Sequence, residues 1–273
     1  MASKPLHSES GAFPVEMGFR GKWRTYQVRL LDSLNDHLDD NRVHIVAAPG
    51  SGKTIFGIEV VRRINKRTLV LAPTTTIRDQ WAERLIQQFL PIGDSRPDWV
   101  STDIRKPRRL TIVTYQALHA LCSGQPDHEP TENLESEENL SFSPAIVIEN
   151  GNGDGNAKAA EQVELPASLS RFETLLVDEA HHLKAEWWRT LTFVVNRLRP
   201  TVIALTATPP YDVSPFEWQR YEELCGPVDA EISIPELVLQ GDLSPHQIIY
   251  ISPFQPPKSR SHSPTSGHRL IHS

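Results

Sequence analysis

The chain has 273 residues with 38% apolar content, enough for one large domain with a single core plus tails. Its formal charge of −6 gives no overall basic footprint for a polyanion. Two distant cysteines, Cys122 and Cys225, form no metal or disulfide framework. No secretion signal opens the chain and no apolar run reaches the length of about 18 residues that crosses a membrane, so a cytoplasmic protein is expected.

The first twenty residues are polar and patternless and read as a flexible lead-in. From Trp23 onward, short apolar runs alternate with amphipathic stretches. Val43–Ala48 reads as a buried strand, Thr54–Ile64 as a helix and Thr68–Ala72 as a second strand. In Thr76–Phe89 the residues Ile77, Trp81, Leu85 and Phe89 recur every four positions, which makes a helix. Leu110–Thr114 is a third strand.

Between Ser123 and Pro166 the rhythm breaks. Ten acidic residues stand there against one basic residue, Lys158. Such a segment buries too little apolar surface to offset the entropy of ordering, so a disordered acidic insertion is expected, with Ala145–Ile148 as an optional edge strand. The rest of the chain is then mildly basic.

The pattern resumes with a strand at Thr174–Val177, a helix at Trp187–Leu198 and a strand at Val202–Leu205. Short helices follow at Phe216–Leu224 and Ile234–Gln240. Beyond Pro253 the sequence is Pro/Ser-rich and reads as a disordered tail, residues 251–273. Strands alternating with helices predict an α/β fold, a parallel sheet with helices on both faces in three layers, over residues 21–250.

Two motifs carry chemistry. Ala48-Pro49-Gly50-Ser51-Gly52-Lys53-Thr54 follows a strand and opens a helix, a near match to GxxxxGK[ST] with Ala in the first position. Small residues there let backbone N–H groups wrap a phosphate, at the positive end of a helix dipole. Lys53 supplies charge for the β and γ phosphates, and the Thr54 hydroxyl is a ligand for Mg²⁺. The second motif, Asp178-Glu179-Ala180-His181, sits at the carboxyl end of a strand, the edge where open parallel sheets bind ligands. Asp178 is expected to hold Mg²⁺, and Glu179 to orient and deprotonate a water. His181 either relays to a neighbouring segment or caps a turn. ATP and Mg²⁺ are therefore the expected cofactors.

The series APGSGKT, LVLAPTTTIRDQW, TYQAL, DEAH and TATP, in that order, resembles the first motor domain of superfamily 2 DEAD/DEAH-type helicases. It is more similar to the DNA translocases and restriction-type motors than to the RNA-specific branch. The resemblance spans Trp23 to Gln247 and implies a P-loop, RecA-like domain. It further implies that Gln27 recognises adenine with Tyr26 nearby. Pro73, Thr74, Arg78 and Thr114, with Tyr115, would touch a nucleic-acid backbone without reading sequence. Thr206 and Thr208 would couple hydrolysis to movement, while the segments around Ile234–Leu237 and Gly241–Gln247 carry no assigned chemistry. DNA is the expected partner. A second motor domain of this kind normally supplies an arginine; none is visible after Gln247, so it is expected from elsewhere, and the isolated chain is expected to turn over slowly. A degenerate remnant that binds nucleotide or a partner without turnover is the competing reading, and a small-molecule P-loop kinase a weaker third.

Overall fold

In a computed structural model, the structure describes residues 12–91, 93, 96–124, 164–183 and 185–243. The expected insertion, apart from its ends, with Ala145–Ile148 inside it, lies outside the described residues, as do residues 244–247 and the tail.

Among the described residues seven strands form one sheet: β1 (Arg42–Ala47), β2 (Thr68–Ala72), β3 (Val100–Ser101), β4 (Leu110–Thr114), β5 (Thr174–Asp178), β6 (Thr201–Thr206) and β7 (Ala230–Ile232). Their order is β3-β4-β2-β5-β6-β1-β7, and every pairing is parallel. The helices are α1 (Thr25–Asp32), α2 (Lys53–Ile64), α3 (Thr75–Phe89), α4 (Tyr115–Ser123), α5 (Ala185–Leu198), α6 (Pro215–Cys225) and α7 (Ile234–Leu239).

The strands read as continuous apolar runs because both faces are covered. Their alternate residues divide cleanly between two cores. Val70, Ile112, Leu176 and Ile203 join the core beneath α1, α2 and α3, which contributes Trp81, Leu85 and Phe89. Leu69, Leu71, Val113, Val177 and Val202 join the other core, with Leu118 of α4, Leu191 of α5 and Tyr221 of α6. The result is the three-layer α/β/α sandwich that the alternation predicts.

One expectation needs correction. Residues 12–20 are not a loose lead-in: Phe13 and Met17 are buried, and the Phe13 N–H bonds to Asn65 Oδ1 at 2.8 Å. Gly18 N–H and Arg20 N–H donate to the carbonyls of Phe89 and Gln88. The segment thus satisfies carbonyls that the end of α3 would leave unpaired. Two apolar residues four apart, in an otherwise polar stretch, were too sparse a signal to show this. The helices α1 and α4 and the short edge strands β3 and β7 also went unforeseen, because two or three strand residues carry no periodicity.

Candidate active site

The sheet order determines which motifs can meet. At the carboxyl edge, β1 leads into the P-loop, its neighbour β6 into Thr206, the next strand β5 into Asp178, and β2 and β4 into α3 and α4.

The P-loop turns through Gly50 at φ 76° and Gly52 at φ 96°, both left-handed. A Cβ on Gly52 would lie 2.9 Å from Gln27 Nε2, so space and backbone both require glycine there. Three side chains of one segment grip this loop from outside. Arg24 Nη1 donates to Gly50 O at 2.7 Å, Tyr26 O–H to Ser51 O at 2.8 Å, and Gln27 Nε2 to Gly52 O at 3.3 Å. Gln27 Oε1 accepts from Arg24 N–H at 3.0 Å, so both ends of the buried Gln27 amide are engaged with the protein. The segment Gly241-Asp242-Leu243, which carried no expected role, backs this clamp. The Asp242 carboxylate lies 4.0 Å from Arg24 Nε, and Leu243 reaches the space beside Gly50.

Lys53 opens α2 and is buried. Its ammonium donates to Ala47 O at 3.0 Å and lies 3.3 Å from Glu179 Oε1. The P-loop and the acidic pair therefore share one rim. Glu179 adopts a left-handed backbone, φ 52° and ψ 52°, which is strained for a residue with a side chain. Its second oxygen accepts from Ala207 N–H at 3.3 Å and lies 3.4 Å from His181 Nδ1. His181 Nδ1 in turn meets Thr206 Oγ1 at 2.7 Å, and Thr206 donates to Thr208 O at 3.4 Å. His181 thus contacts the end of the neighbouring strand β6.

Asp178 is buried and accepts from Trp81 Nε1–H at 2.6 Å. Burial raises its carboxyl to about 6, against the Trp81 hydrogen bond and the nearby Lys53 charge, while the Glu179 charge adds to the rise.

A cleft of about 490 Å³ joins these parts. Gly50 to Thr54, Gln27, Asp178 and Glu179 line it, together with Phe19, Lys22, Ile77, Gln80, Arg84 and Gln88, which sequence reading missed. The signal was present for α3: positions 77, 80, 84 and 88 fall on one helical stripe. The cleft fits a phosphate-bearing ligand. The glycines leave the cradle open, the Ser51 hydroxyl is buried without a partner, and Lys53 aims its charge inward. Among the described residues no group of three or more His, Cys, Asp or Glu side chains is gathered as a metal site.

The expected backbone-contact residues lie elsewhere on the same rim. Thr74 follows the end of β2 and Thr114 ends the adjacent β4; they cap α3 and α4, accepting from Ile77 N–H at 3.2 Å and Ala117 N–H at 3.1 Å. Each hydroxyl keeps its own proton to donate. Pro73 is half-buried, and Arg78 pairs with Asp79 at 2.9 Å. Tyr115 departs from expectation: it is buried, and its hydroxyl donates to Asp178 O at 2.7 Å, so its side chain faces the acidic motif and not solvent.

A family model described as type III restriction enzyme, res subunit (ResIII), matches residues 20–211. The chain belongs to this family. Sequence relatives of the ResIII chain include the DNA 3'-5' translocase XPB2 of Sulfurisphaera tokodaii, 25% identical over 214 residues, which make up 78% of this chain and 36% of that protein. A Rad25 protein of Halobacterium salinarum is 31% identical over 108 residues, 40% of this chain and 17% of the relative. Among solved structures, the UvsW helicase of bacteriophage T4 is similar with TM-score 0.47 and 13% identity, over 78% of this chain and 62% of that one. The chain spans little more than a third, or less, of the length of these two sequence relatives. It carries an ATP-binding motor domain of the helicase type. Among its described residues no helix is long and apolar enough to cross a membrane.

Proposed function

We propose that the chain binds Mg²⁺–ATP in this cleft and hydrolyses it in response to DNA. The approach of Lys53 to Glu179, 3.3 Å, supports this most, because it joins the phosphate loop and the candidate base in one buried rim. Lys53 rests on Ala47 O and Glu179, and both contacts are exchangeable for β and γ phosphate oxygens. Thr54 and Asp178 are the residues that would hold Mg²⁺, which when bound supplies charge to the phosphates. Glu179 holds the attacking water and takes its proton. Gly50, Ser51 and Gly52 present backbone N–H groups to the phosphates, flanked by Ala48 and Pro49. Gln27 meets adenine after releasing part of its present pairing.

His181, Thr206 and Thr208 form the line through which hydrolysis is felt at the β6 end. Thr74, Arg78 and Thr114 take DNA phosphates and Pro73, which has no N–H to give, packs against the backbone, with no base contact and hence no sequence preference. A second motor domain, in cis or in trans, completes the site. The intact Lys53, Glu179, His181 and Thr206 set favours turnover over an inert remnant.

The test is phosphate release with and without duplex DNA, beside binding of a fluorescent ATP analogue. Stimulation by DNA that disappears in Lys53→Ala is expected. Nucleotide binding without any phosphate release, with or without DNA, defeats the reading in favour of a binding module.

A further inference from the structure

Asp178 is approached from two sides by aromatic donors, one from α3 and one from α4. The Trp81 indole N–H reaches its carboxylate Oδ2 at 2.6 Å, and the Tyr115 hydroxyl reaches its backbone carbonyl at 2.7 Å. Both side chains are fully buried. An indole on a core helix usually needs only some polar partner. Here two donors from two different helices converge on one residue.

The place for the indole is prepared. Gly57 lies inside α2, where glycine is normally unfavourable. A Cβ at that position would come within 2.7 Å of the Trp81 ring, and within 2.8 Å of Leu205. The missing side chain is the space the ring occupies. Tyr115 stacks on Trp187 with ring centroids 5.8 Å apart.

The two donors start from informative places. Trp81 lies two turns into α3, whose first turn holds Arg78 and whose cap is Thr74. Tyr115 is the first residue of α4 and directly follows its cap, Thr114. These caps are the positions assigned above to DNA phosphates. A helix behaves as a rigid rod over two turns, so displacement of its start carries its buried side chains along.

We propose that Trp81 and Tyr115 are positioning residues that set the Asp178 carboxylate and transmit occupancy of the α3 and α4 starts to it. This rests on the function proposed above. Trp81 holds one carboxylate oxygen and leaves the other for the cleft; Tyr115 fixes the height of the strand end from which the carboxylate projects. DNA seated on the two caps firms both contacts, and the geometry at Asp178 is set when the track is occupied.

The experiment compares the unsubstituted chain with Trp81→Phe, Tyr115→Phe and Gly57→Ala, the last of which keeps the indole but crowds it away. Three quantities are read: the Mg²⁺ concentration for half-maximal binding of a fluorescent ATP analogue, the ratio of DNA-stimulated to basal phosphate release, and the melting temperature. Loss of an outer partner of a metal-holding group reduces affinity or activity about tenfold or more. A shift of that size in Mg²⁺ requirement is expected in Trp81→Phe and Gly57→Ala, and a fall of that size in the stimulation ratio in Tyr115→Phe. Variants that melt earlier yet keep both the Mg²⁺ requirement and the ratio reduce the two aromatics to core packing and overturn the inference. An unsubstituted chain that binds no nucleotide defeats the proposed function itself, and the inference with it. Turnover without DNA stimulation in the unsubstituted chain defeats the DNA dependence of the proposed function as well, whereas an unsubstituted chain that is stimulated by DNA beside variants that keep its Mg²⁺ requirement and ratio overturns the inference alone.

Discussion

The two halves of one sheet edge are built differently. On the β1 side, the P-loop is held by side chains distant in sequence: Arg24, Tyr26 and Gln27 grip three successive carbonyls, and Asp242 supports Arg24 from the far end of the domain. On the β2–β4 side, Thr74 and Thr114 are held by their own helices, as caps three residues from their donors. The first half is preorganised from outside and leaves a buried hydroxyl, Ser51, without a partner. The second is locally satisfied and keeps hydroxyl protons in reserve. A site built for one ligand geometry and a surface that takes phosphates in any register would differ in this way.

The sharpest break between the halves is expected from Glu179→Gln. The amide keeps the shape and loses the base, so nucleotide binding persists while turnover falls about 10²–10⁴-fold. Phosphate release measured beside fluorescent-nucleotide binding checks this. Equal loss of both would mean that the strained Glu179 serves the fold of the rim and not the reaction.

Gly52→Ala addresses the external grip. A left-handed residue with a side chain costs about 1–2 kcal/mol, and its Cβ would also press on Gln27 Nε2, 2.9 Å away. Nucleotide affinity is expected to fall about tenfold or more, since about 1.4 kcal/mol is a factor of ten. A titration with the ATP analogue measures it. Affinity equal to that of the unsubstituted chain would show that the clamp from α1 is free to adjust.

Legibility in the sequence follows the same division. The P-loop and the DEAH strand were readable because their chemistry demands fixed residue types at fixed spacing, between strand and helix patterns that fold independently of the rest. The five long strands were readable because burial on both faces makes them uninterrupted apolar runs. The clamp on the P-loop was not readable as a clamp, since nothing local in Arg24-Thr25-Tyr26-Gln27 reveals three carbonyls 25 or 26 residues away. Tyr115 was misread for a related reason. Its neighbour Thr114 suggests a surface, and only the packing of α4 against α5 and β4 turns the ring inward. Phe13 and Met17 fall in a stretch that reads as a flexible lead-in, because isolated apolar residues show no period.

The β2–β4 half can be separated into its two roles with one substitution. Aspartate is as good a helix cap as threonine, whereas alanine costs about 1 kcal/mol. Thr74→Asp and Thr114→Asp should therefore melt close to the unsubstituted chain, while Thr74→Ala and Thr114→Ala melt a few degrees earlier. Against DNA, the aspartates bring a like charge to the phosphates and are expected to weaken binding more than the alanines do. Fluorescence anisotropy with labelled duplex at low salt orders the four variants. DNA affinity that tracks melting temperature would leave the threonines as caps only.

The smallest effect concerns how the two halves are underpinned. His44 lies buried in β1 beneath the P-loop half, with Nδ1 3.0 Å from Gly226 O and Nε2 2.9 Å from Tyr221 Oη. A carbonyl only accepts, so Nδ1 carries the proton and Tyr221 O–H donates to Nε2; the ring is neutral. Burial lowers its pKa from the usual 6.5, against the pull of the Gly226 carbonyl and the Asp229 charge. His119 of α4, beneath the other half, is lowered by burial as well, with Glu186 opposing. For both, the unfolded chain binds a proton more readily than the folded one. Stability is therefore complete above the unfolded pKa, falls as the pH drops below about 6.5, and levels off below the depressed folded values. Melting temperatures between pH 8 and pH 5 should decline on the acid side. His44→Gln, with an amide able to donate to Gly226 O, should flatten part of that slope, and His119→Gln a smaller part, since His119 is less enclosed. A slope that neither substitution changes would assign the acid sensitivity to other groups and remove the distinction between the two supports.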